Sequence, residues 1–336
     1  MTSRAITVLS GGVGGARFLR GLLLALSGPG YEDSGEVAVT VVANTADDLW
    51  LHGLKVCPDL DTVMYTLGGG IDTERGWGRA QETWSARDEL AEYGVEPTWF
   101  GLGDRDLATH LVRTEMLSAG YPLSAVTAAL CERWRPGVRL LPMSDDRVET
   151  HVAIDDPEQP SGRRVVHFQE YWVRLGAGVP ARAVVPVGVD KATPAPGVLD
   201  AISTADLLIV PPSNPVVSIG TILAVPGVRE AVRSTPAPVV GVSPIVAGSH
   251  VRGMAAQLLE AIDVAVTAGG VARHYGSRAS GGVLDGWLVD TADSAEVDIV
   301  REAGIDCVAV PLMMTDDDAT AEIARNVFDL AEKVRR

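Results

Sequence analysis

The chain reads as an α/β protein: a doubly wound, Rossmann-like, mostly parallel sheet carrying a helical insertion. Three observations predict this. Runs such as VAVTVVA at 37–43 are continuously apolar and rich in β-branched residues, and strands buried on both faces belong to parallel sheets. Such runs alternate with segments of helical apolar spacing. The first run passes through a glycine cluster directly into a helix, an opening typical of nucleotide-binding sheets.

In chain order, AITVLS at 5–10 is a strand, SGGVGG at 10–15 a tight turn, and Ala16 to Leu26 a helix. The second strand, 37–43, ends at Asn44. From about Asp61 to Arg135 helical patterns dominate, with many charges and with Trp77, Trp84, Trp99 and Trp134. Strand-like runs resume at 138–142, 149–154, 164–169 and 182–187, and HFQEYWV at 167–173 reads as an amphipathic strand. The β–α alternation then returns: ADLLIV at 205–210 with a helix from about 216, and APVVGVS at 237–243 with a helix near 253–261. GWLVD at 286–290, CVAVP at 307–311 and an amphipathic helix from about 318 complete the pattern. Stretches 28–35 and 156–163, rich in Gly, Asp, Ser and Pro, read as exposed turns. The division is a Rossmann-like core over 1–60 and 136–336, with an insertion over 61–135 covering the active site.

Composition narrows the function. Apolar residues make up 46% and charged residues 21% of the 336 residues, the balance of a soluble globular protein. No apolar run has the length of a membrane span, and glycines with Arg17 and Arg20 break the apolar N-terminal stretch, so a signal peptide is not expected. Cys57, Cys131 and Cys307 are far apart and lack metal-type spacing, which suggests reduced thiols in the cytoplasm. A net charge of −16 repels nucleic acid and anionic lipid. An acidic protein that binds a phosphorylated substrate needs local help from backbone amides, a few basic groups or a divalent cation.

Three polar clusters fall at the carboxyl ends of strands, where open α/β sheets bind ligands. Gly11, Gly12, Gly14 and Gly15 let the backbone approach a phosphate at a helix N-terminus. Asn44 and Thr45 open NTADDLWLHGLKVCPDLDTVMY, where Asp47, Asp48, Asp59 and Asp61 lie close together. Clustered carboxylates repel, so their collection points to a cation or to proton transfer. Capping is the plainer role for Asp61. Ser213 and Asn214 sit at the end of the 205–210 strand, and Ser218 and Gly220 begin the next helix. A fourth group, Asp104, Arg105, Asp106 and His110, occupies a loop-to-helix junction. Arg105 suits bidentate binding of an oxyanion, and Asp106 and His110 share a helix face. His167 is expected to pack structurally.

Together, NTADDLWLHGL, PDLDTVMY, LGDRDLATH, LPMSDD, HFQEYWV and PPSNPVVSIG resemble the 2-phospho-L-lactate transferase (CofD-type) family, nearest its actinobacterial FbiA branch. The likeness spans nearly the whole chain. It implies transfer of a three-carbon phospho-acid from a GDP-linked donor to the terminal ribityl hydroxyl of the deazaflavin Fo, releasing GMP, in coenzyme F420 biosynthesis. The donor carries lactate in archaea and enolpyruvate in the actinobacterial branch, which this composition favours. The resemblance also implies Mg²⁺ and a homodimer. It places Asp61 at the Fo ribityl chain as proton acceptor, and gives Asp48 and Asp61 to the metal. Where this chain has Phe100-Gly101, archaeal relatives carry a basic residue.

Two other classes compete. A gluconeogenesis-factor (YvcK-like) regulator shares the glycine loop and an NTADD-like segment, but its acidic pair is followed by Gly and Ser rather than by Leu49-Trp50-Leu51-His52. An NAD-dependent oxidoreductase fits the sheet class but gives the carboxylates no task, and no acidic residue ends the second strand.

Overall fold

β1 (Arg4–Ser10) and β2 (Val37–Ala43) pair in parallel over their whole length, Ser10 opposite Ala43. The computed structural model describes residues 4–28, 37–250 and 254–335. Beyond Gly28, the turn expected at 28–35 lies outside the described residues, as does position 253 of the helix expected at 253–261. Between β1 and β2 runs α1 (Gly12–Leu26), whose Phe18, Leu19 and Leu22 are fully buried.

The connection from β2 to the next core strand is long. It begins with the antiparallel hairpin β3 (Leu49–Leu51) and β4 (Leu54–Val56). His52 and Gly53 at its tip both have positive φ, 50° and 77°, the two-residue primed turn that matches strand twist. Then come α2 (Pro58–Leu67), started by a proline in its first turn, α3 (Ser85–Glu92), α4 (Asp106–Ser118) and α5 (Leu123–Trp134). β5 (Arg139–Pro142) joins the sheet beside β2.

The segment 61–135 is therefore not a separate unit. Leu60, Val63 and Met64 of α2 and Val126 and Leu130 of α5 belong to the same core as α1. A sequence window sees helices in succession but not which of them lie on the sheet. The excursion that does form its own sheet lies later. β6 (Glu149–Asp155), β7 (Arg163–His167) and β8 (Ala181–Val187) form an antiparallel three-stranded unit in the order β7-β6-β8. Val152, Ile154, Val166 and Tyr171 give it a small core. HFQEYWV is not a strand: β7 stops at His167 and Glu170–Arg174 is a π-helical turn. Tertiary packing overrides β propensity here: Tyr171 is fully buried and its hydroxyl donates to the Val179 carbonyl at 2.9 Å. The exposed turn at 156–163 is present.

The second half is regular. α6 (Val198–Ser203) precedes β9 (Leu207–Val210), α7 (Ile219–Ala224) and α8 (Val228–Ser234) follow, then β10 (Val239–Val242). A small hairpin, β11 (Ile245–Val246) and β12 (Ser249–His250), leads to α9 (Ala255–Glu260) and α10 (Ala268–Tyr275). β13 (Gly286–Asp290), α11 (Val297–Glu302), β14 (Asp306–Val310) and α12 (Asp317–Val334) finish the chain. Asp316 caps α12, its carboxylate accepting from Ala319 N at 2.8 Å.

The seven core strands run in the order β14-β13-β10-β9-β1-β2-β5, every neighbouring pair parallel. Successive crossovers wind to one side from β1 to β2 and β5, and to the other from β9 to β14. The switch point lies between β1 and β9, and their carboxyl ends frame the crevice where ligands of such sheets bind. Helices cover both faces, with separate apolar cores above and below. No helix of the described residues is long and apolar enough to cross a membrane.

Gly241 in β10 has no room for a side chain, because a Cβ there would overlap the fully buried Trp287 ring. Gly241→Ala should lower stability by about 1–3 kcal/mol, the usual cost of overpacking a tight core, read as a reduced urea midpoint.

Candidate active site

The glycine turn is shaped first by packing. A Cβ at Gly14 would sit 2.5 Å from the Pro212 carbonyl oxygen, and one at Gly11 2.5 Å from Ser218 Cβ. A Cβ at Gly15 would overlap the Ser10 and Ser213 hydroxyls. Ser213 binds the turn from the β9 side: Gly11 N–H donates to its Oγ at 3.2 Å, and Oγ donates to the Gly11 carbonyl at 2.8 Å. The turn after β1 is thus clamped to the turn after β9 across the switch point. Gly12 and Gly14 remain half-exposed at the N-terminus of α1.

Asn44 ends β2 and ties three elements together. Its Nδ2 donates to Asp59 Oδ2 at 2.9 Å, and its Oδ1 accepts from Ala46 N at 3.0 Å and from Thr221 Oγ1 at 2.8 Å. That amide is fully committed inside the protein, where it positions Asp59. Asp59, in the first turn of α2, stands against the N-terminus of α1 and accepts from Gly12 N–H. Burial pushes its carboxyl up to about 6, against the lowering effect of the Asn44 hydrogen bond. Burial, with the charge of Asp59 behind it, raises Asp47 well above the usual carboxylate range.

A second group of charges lies beside the first. Lys55 Nζ of β4 is 3.2 Å from Asp48 Oδ2. Arg113 of α4, 1% exposed, grips both oxygens of Asp61, with Nη1 donating to Oδ2 at 3.1 Å and Nη2 in a shorter contact with Oδ1. The four charges meet around the buried thiol of Cys57. Burial raises the Asp61 carboxyl, and Arg113 offsets part of that rise. The network runs on along α4. Arg113 Nη1 lies 3.1 Å from His110 Nδ1. A guanidinium can only donate, so Nδ1 accepts and the His110 proton sits on Nε2. His110 Nε2 is 3.3 Å from Asp106 Oδ2, and Asp106 Oδ1 accepts from the Tyr65 hydroxyl at 2.5 Å. Burial works to raise Asp106, but His110 and Tyr65 outweigh it and leave it lowered.

Of the residues singled out in the sequence, Gly11, Gly12, Gly14, Gly15, Asn44, Thr45, Asp48, Ser213 and Ser218 converge on the crevice. Asp61 lies next to it, turned to Arg113. The pair Asp106–His110 forms as its spacing suggests, but in the interior rather than on the surface. Asp104 caps α3, accepting from Ser85 N at 3.0 Å and Ala86 N at 2.9 Å, and Arg105 is exposed, 3.3 Å from Gln81 Oε1. Asn214 holds its own turn through Val216 N at 2.9 Å, and Gly220 packs on the Pro215 carbonyl. Sequence reasoning missed Arg113, Lys55 and Asn44's partner Thr221. The signal for Arg113 was there: Asp106, His110 and Arg113 repeat at helical spacing on one face.

Seven buried polar atoms around the 44–48 loop complete no well-formed hydrogen bond: Ser10 Oγ, Thr45 Oγ1, Asp47 Oδ1, both oxygens of Asp48, Thr150 Oγ1 and His167 Nε2, although Lys55 Nζ is an ion-pair partner of Asp48 Oδ2 at 3.2 Å. Buried polar groups are otherwise satisfied almost throughout proteins, so orphans gathered in one place mark a site built for a ligand or ion. Among the described residues no three His, Cys, Asp or Glu side chains are arranged to hold a metal by themselves. The orphaned Asp48 oxygens do fit Mg²⁺, which takes one or two carboxylates and completes its shell with water and substrate phosphate. Asp61 fits only if it leaves Arg113.

Arg113→Met would leave Asp61 buried and unpaired, at a cost of about 3–5 kcal/mol. The deficit should shrink from about pH 8 to about pH 5, because an unpaired Asp61 folds as the neutral acid and its raised folded pKa makes stability rise as pH falls. Asp59 has the same sign: its folded value of about 6 exceeds the ordinary 3.8, so its penalty appears as pH rises through that window. Asp59→Asn should therefore raise the melting temperature of ligand-free protein at about pH 8 and leave it unchanged at about pH 4.

Comparison with known proteins places the chain. The family model described as 2-phospho-L-lactate transferase CofD matches residues 6–325. A phosphoenolpyruvate transferase of Kitasatospora aureofaciens is 66% identical over 330 residues, covering 98% of each chain. Proteins of the same name from Streptomyces coelicolor and Nocardia farcinica are 64% and 58% identical, over 98% of this chain and 99% and 96% of theirs. A solved structure from Bacillus halodurans superposes with a TM-score of 0.62 at 17% identity, over 97% of this chain and all of that one, and at that identity it shows the fold alone. The regulator and oxidoreductase readings give way to the sequence match: the chain belongs to the CofD family of 2-phospho-L-lactate transferases.

Proposed function

We propose that this transferase moves a phosphoenolpyruvyl group from a GDP-linked donor to the ribityl hydroxyl of Fo and releases GMP. The observation that carries this is the set of unsatisfied polar atoms around the loop after β2, beside a glycine turn and a carboxylate cluster. The name of the actinobacterial relatives favours enolpyruvate over lactate.

Transfer between two oxygens needs positioning and charge control more than covalent help. The half-exposed turn from Gly12 to Gly14, at the positive end of α1, receives donor phosphate, with the Gly12 N–H held by Asp59 until the phosphate displaces it. Asp59 stands at that same helix end, and its raised pKa makes it easier to neutralise as an anion arrives. Asp48, whose carboxylate completes no well-formed hydrogen bond and has Lys55 beside it, would hold Mg²⁺, while Asp61 stays paired with Arg113. The ion supplies neutralisation of the phosphate charge during transfer. Asp61 accepts the proton of the attacking hydroxyl. Arg113 keeps it ionised despite burial, and the chain through His110, Asp106 and Tyr65 fixes the guanidinium. Homodimerisation and a cytoplasmic setting belong to the same reading.

The decisive assay combines purified protein, Mg²⁺, Fo and each GDP-linked acid, with product mass as readout. The expected product is the phosphoenolpyruvyl ester of Fo with stoichiometric GMP. Asp61→Asn should reduce turnover by at least about a hundredfold, the lower weight of a positioned general base, and should also lower stability, because Arg113 is left buried without its anion; turnover is therefore read at a temperature where circular dichroism shows the variant folded. EDTA should stop the reaction and Mg²⁺ restore it. Near-normal turnover in Asp61→Asn removes that residue from proton transfer, and product formation with neither donor removes the reading.

A further inference from the structure

His167 ends β7 and lies against the main chain of Asp48. The next turn is fastened to the same loop, with Gln169 Nε2 donating to the Asp47 carbonyl at 3.3 Å. Two observations define what His167 offers. First, Gln169 N–H donates to His167 Nδ1 at 3.1 Å. A ring nitrogen that accepts carries no proton, so the proton sits on Nε2. Second, Nε2 is buried and completes no hydrogen bond. The acceptor near it is the Asp48 carbonyl, which Nε2–H faces without completing a hydrogen bond of good geometry, so the donor stays unsatisfied.

The surroundings keep that ring neutral. Burial lowers its pKa, and the charges of Lys55 and of His151 act the same way, while Glu149 opposes them. His151 faces His167 directly across the β6–β7 ladder, with ring centroids 5.6 Å apart and edge to face. That contact fixes the ring plane. The hydroxyls of Thr45 and Thr150 border the same loop, that of Thr150 against the Asp47 carboxylate, since Thr150 N donates to the Ala46 carbonyl at 2.6 Å. Lys55 is one of only three lysines in a chain of net charge −16, and its side chain is 12% exposed. A neutral donor beside an ammonium and two hydroxyls is chemistry for an oxyanion, and repels nothing the acidic cluster has to hold.

We propose that His167 Nε2–H donates to an anionic oxygen of the GDP-linked donor, either the carboxylate of its three-carbon acid or a phosphate, with Lys55 supplying the neighbouring charge. This rests on the transferase reading. It makes His167 a substrate-binding residue rather than a packing residue of the three-stranded unit.

The test compares His167→Phe, which keeps a ring against His151 but has no donor, with His167→Gln, whose amide reaches about as far as Nε2. Calorimetric titration would use GDP, the GDP-linked donor and Fo. Expected for His167→Phe is a loss of donor affinity of about tenfold or more, the weight of one hydrogen bond to a charged partner. Affinity for Fo and the melting temperature should hold, and His167→Gln should recover most of the loss. If GDP weakens in parallel, the oxygen is a phosphate oxygen, and if GDP is unaffected it is the carboxylate. Both results support the assignment. Unchanged donor affinity in His167→Phe, or a loss confined to Fo, overturns it. Should His167→Phe fold poorly, the imidazole ¹⁵N and N–H resonances of wild-type His167 decide: they shift on donor binding if Nε2–H is engaged, and static resonances overturn the proposal. A wild-type protein that binds no GDP-linked donor removes the transferase reading itself. One that binds it, beside a His167→Phe that binds it equally, removes only the role of His167.

Discussion

The interaction on which the site depends is the grip of Arg113 on Asp61. A guanidinium that is 1% exposed and a carboxylate buried beside it are tolerable only together, because each desolvated charge alone costs several kcal/mol. The pair joins α4 to α2, and so holds the excursion between β2 and β5 against the core sheet. Through His110 and Asp106 it extends to Tyr65, and through the Lys55 carbonyl, 3.4 Å from Nη1, it reaches the β3–β4 hairpin. Asp48 of the crevice joins this network through the Lys55 ammonium at 3.2 Å.

The crevice itself works in the opposite sense. Asp47, Asp48 and Asp59 are buried together, and burial raises all three although Lys55, Arg113, the Asn44 amide, the Thr150 hydroxyl and the Gly12 N–H relieve them in part. A ligand-free site of this kind is held in an unfavourable electrostatic state by the packing around it. The clamp of Ser213 on Gly11 and the contact of Gly14 with Pro212 leave the glycine turn no slack to relax. In the proposed reaction the stability given up there would be recovered as a cation and an anionic substrate arrive as a pair. That answers how a protein of net charge −16 handles a phosphorylated donor: the acidic residues do not face the substrate bare, and basic groups stand directly behind them.

Much of this was legible in the sequence. The continuously apolar strands, the strand–glycine–helix opening and the β–α alternation after residue 205 correspond to the seven-stranded parallel sheet. Gly11 to Gly15, Asn44, Asp48, Ser213 and Ser218 lie where strand ends put them. Less legible was the allocation of partners. Asp104 and Arg105 carry the charges of a binding site, yet Asp104 caps α3 and Arg105 points outward. HFQEYWV has strand-like residues, yet a buried tyrosine pulls its second half into a π-helical turn.

The sequence by itself determined the fold class, the gathering of the candidate residues at strand ends and the family, because periodicity, glycine placement and motif content are properties of the chain read in order. The tertiary structure alone decided which charge meets which. Asp61 and Arg113 are 52 positions apart, and Asn44 and Thr221 are 177 apart. Desolvation makes such pairings obligatory but leaves their choice to geometry. For the same reason the orphaned Nε2 of His167 is visible only in three dimensions: a missing partner has no signature in sequence until every neighbour has been placed.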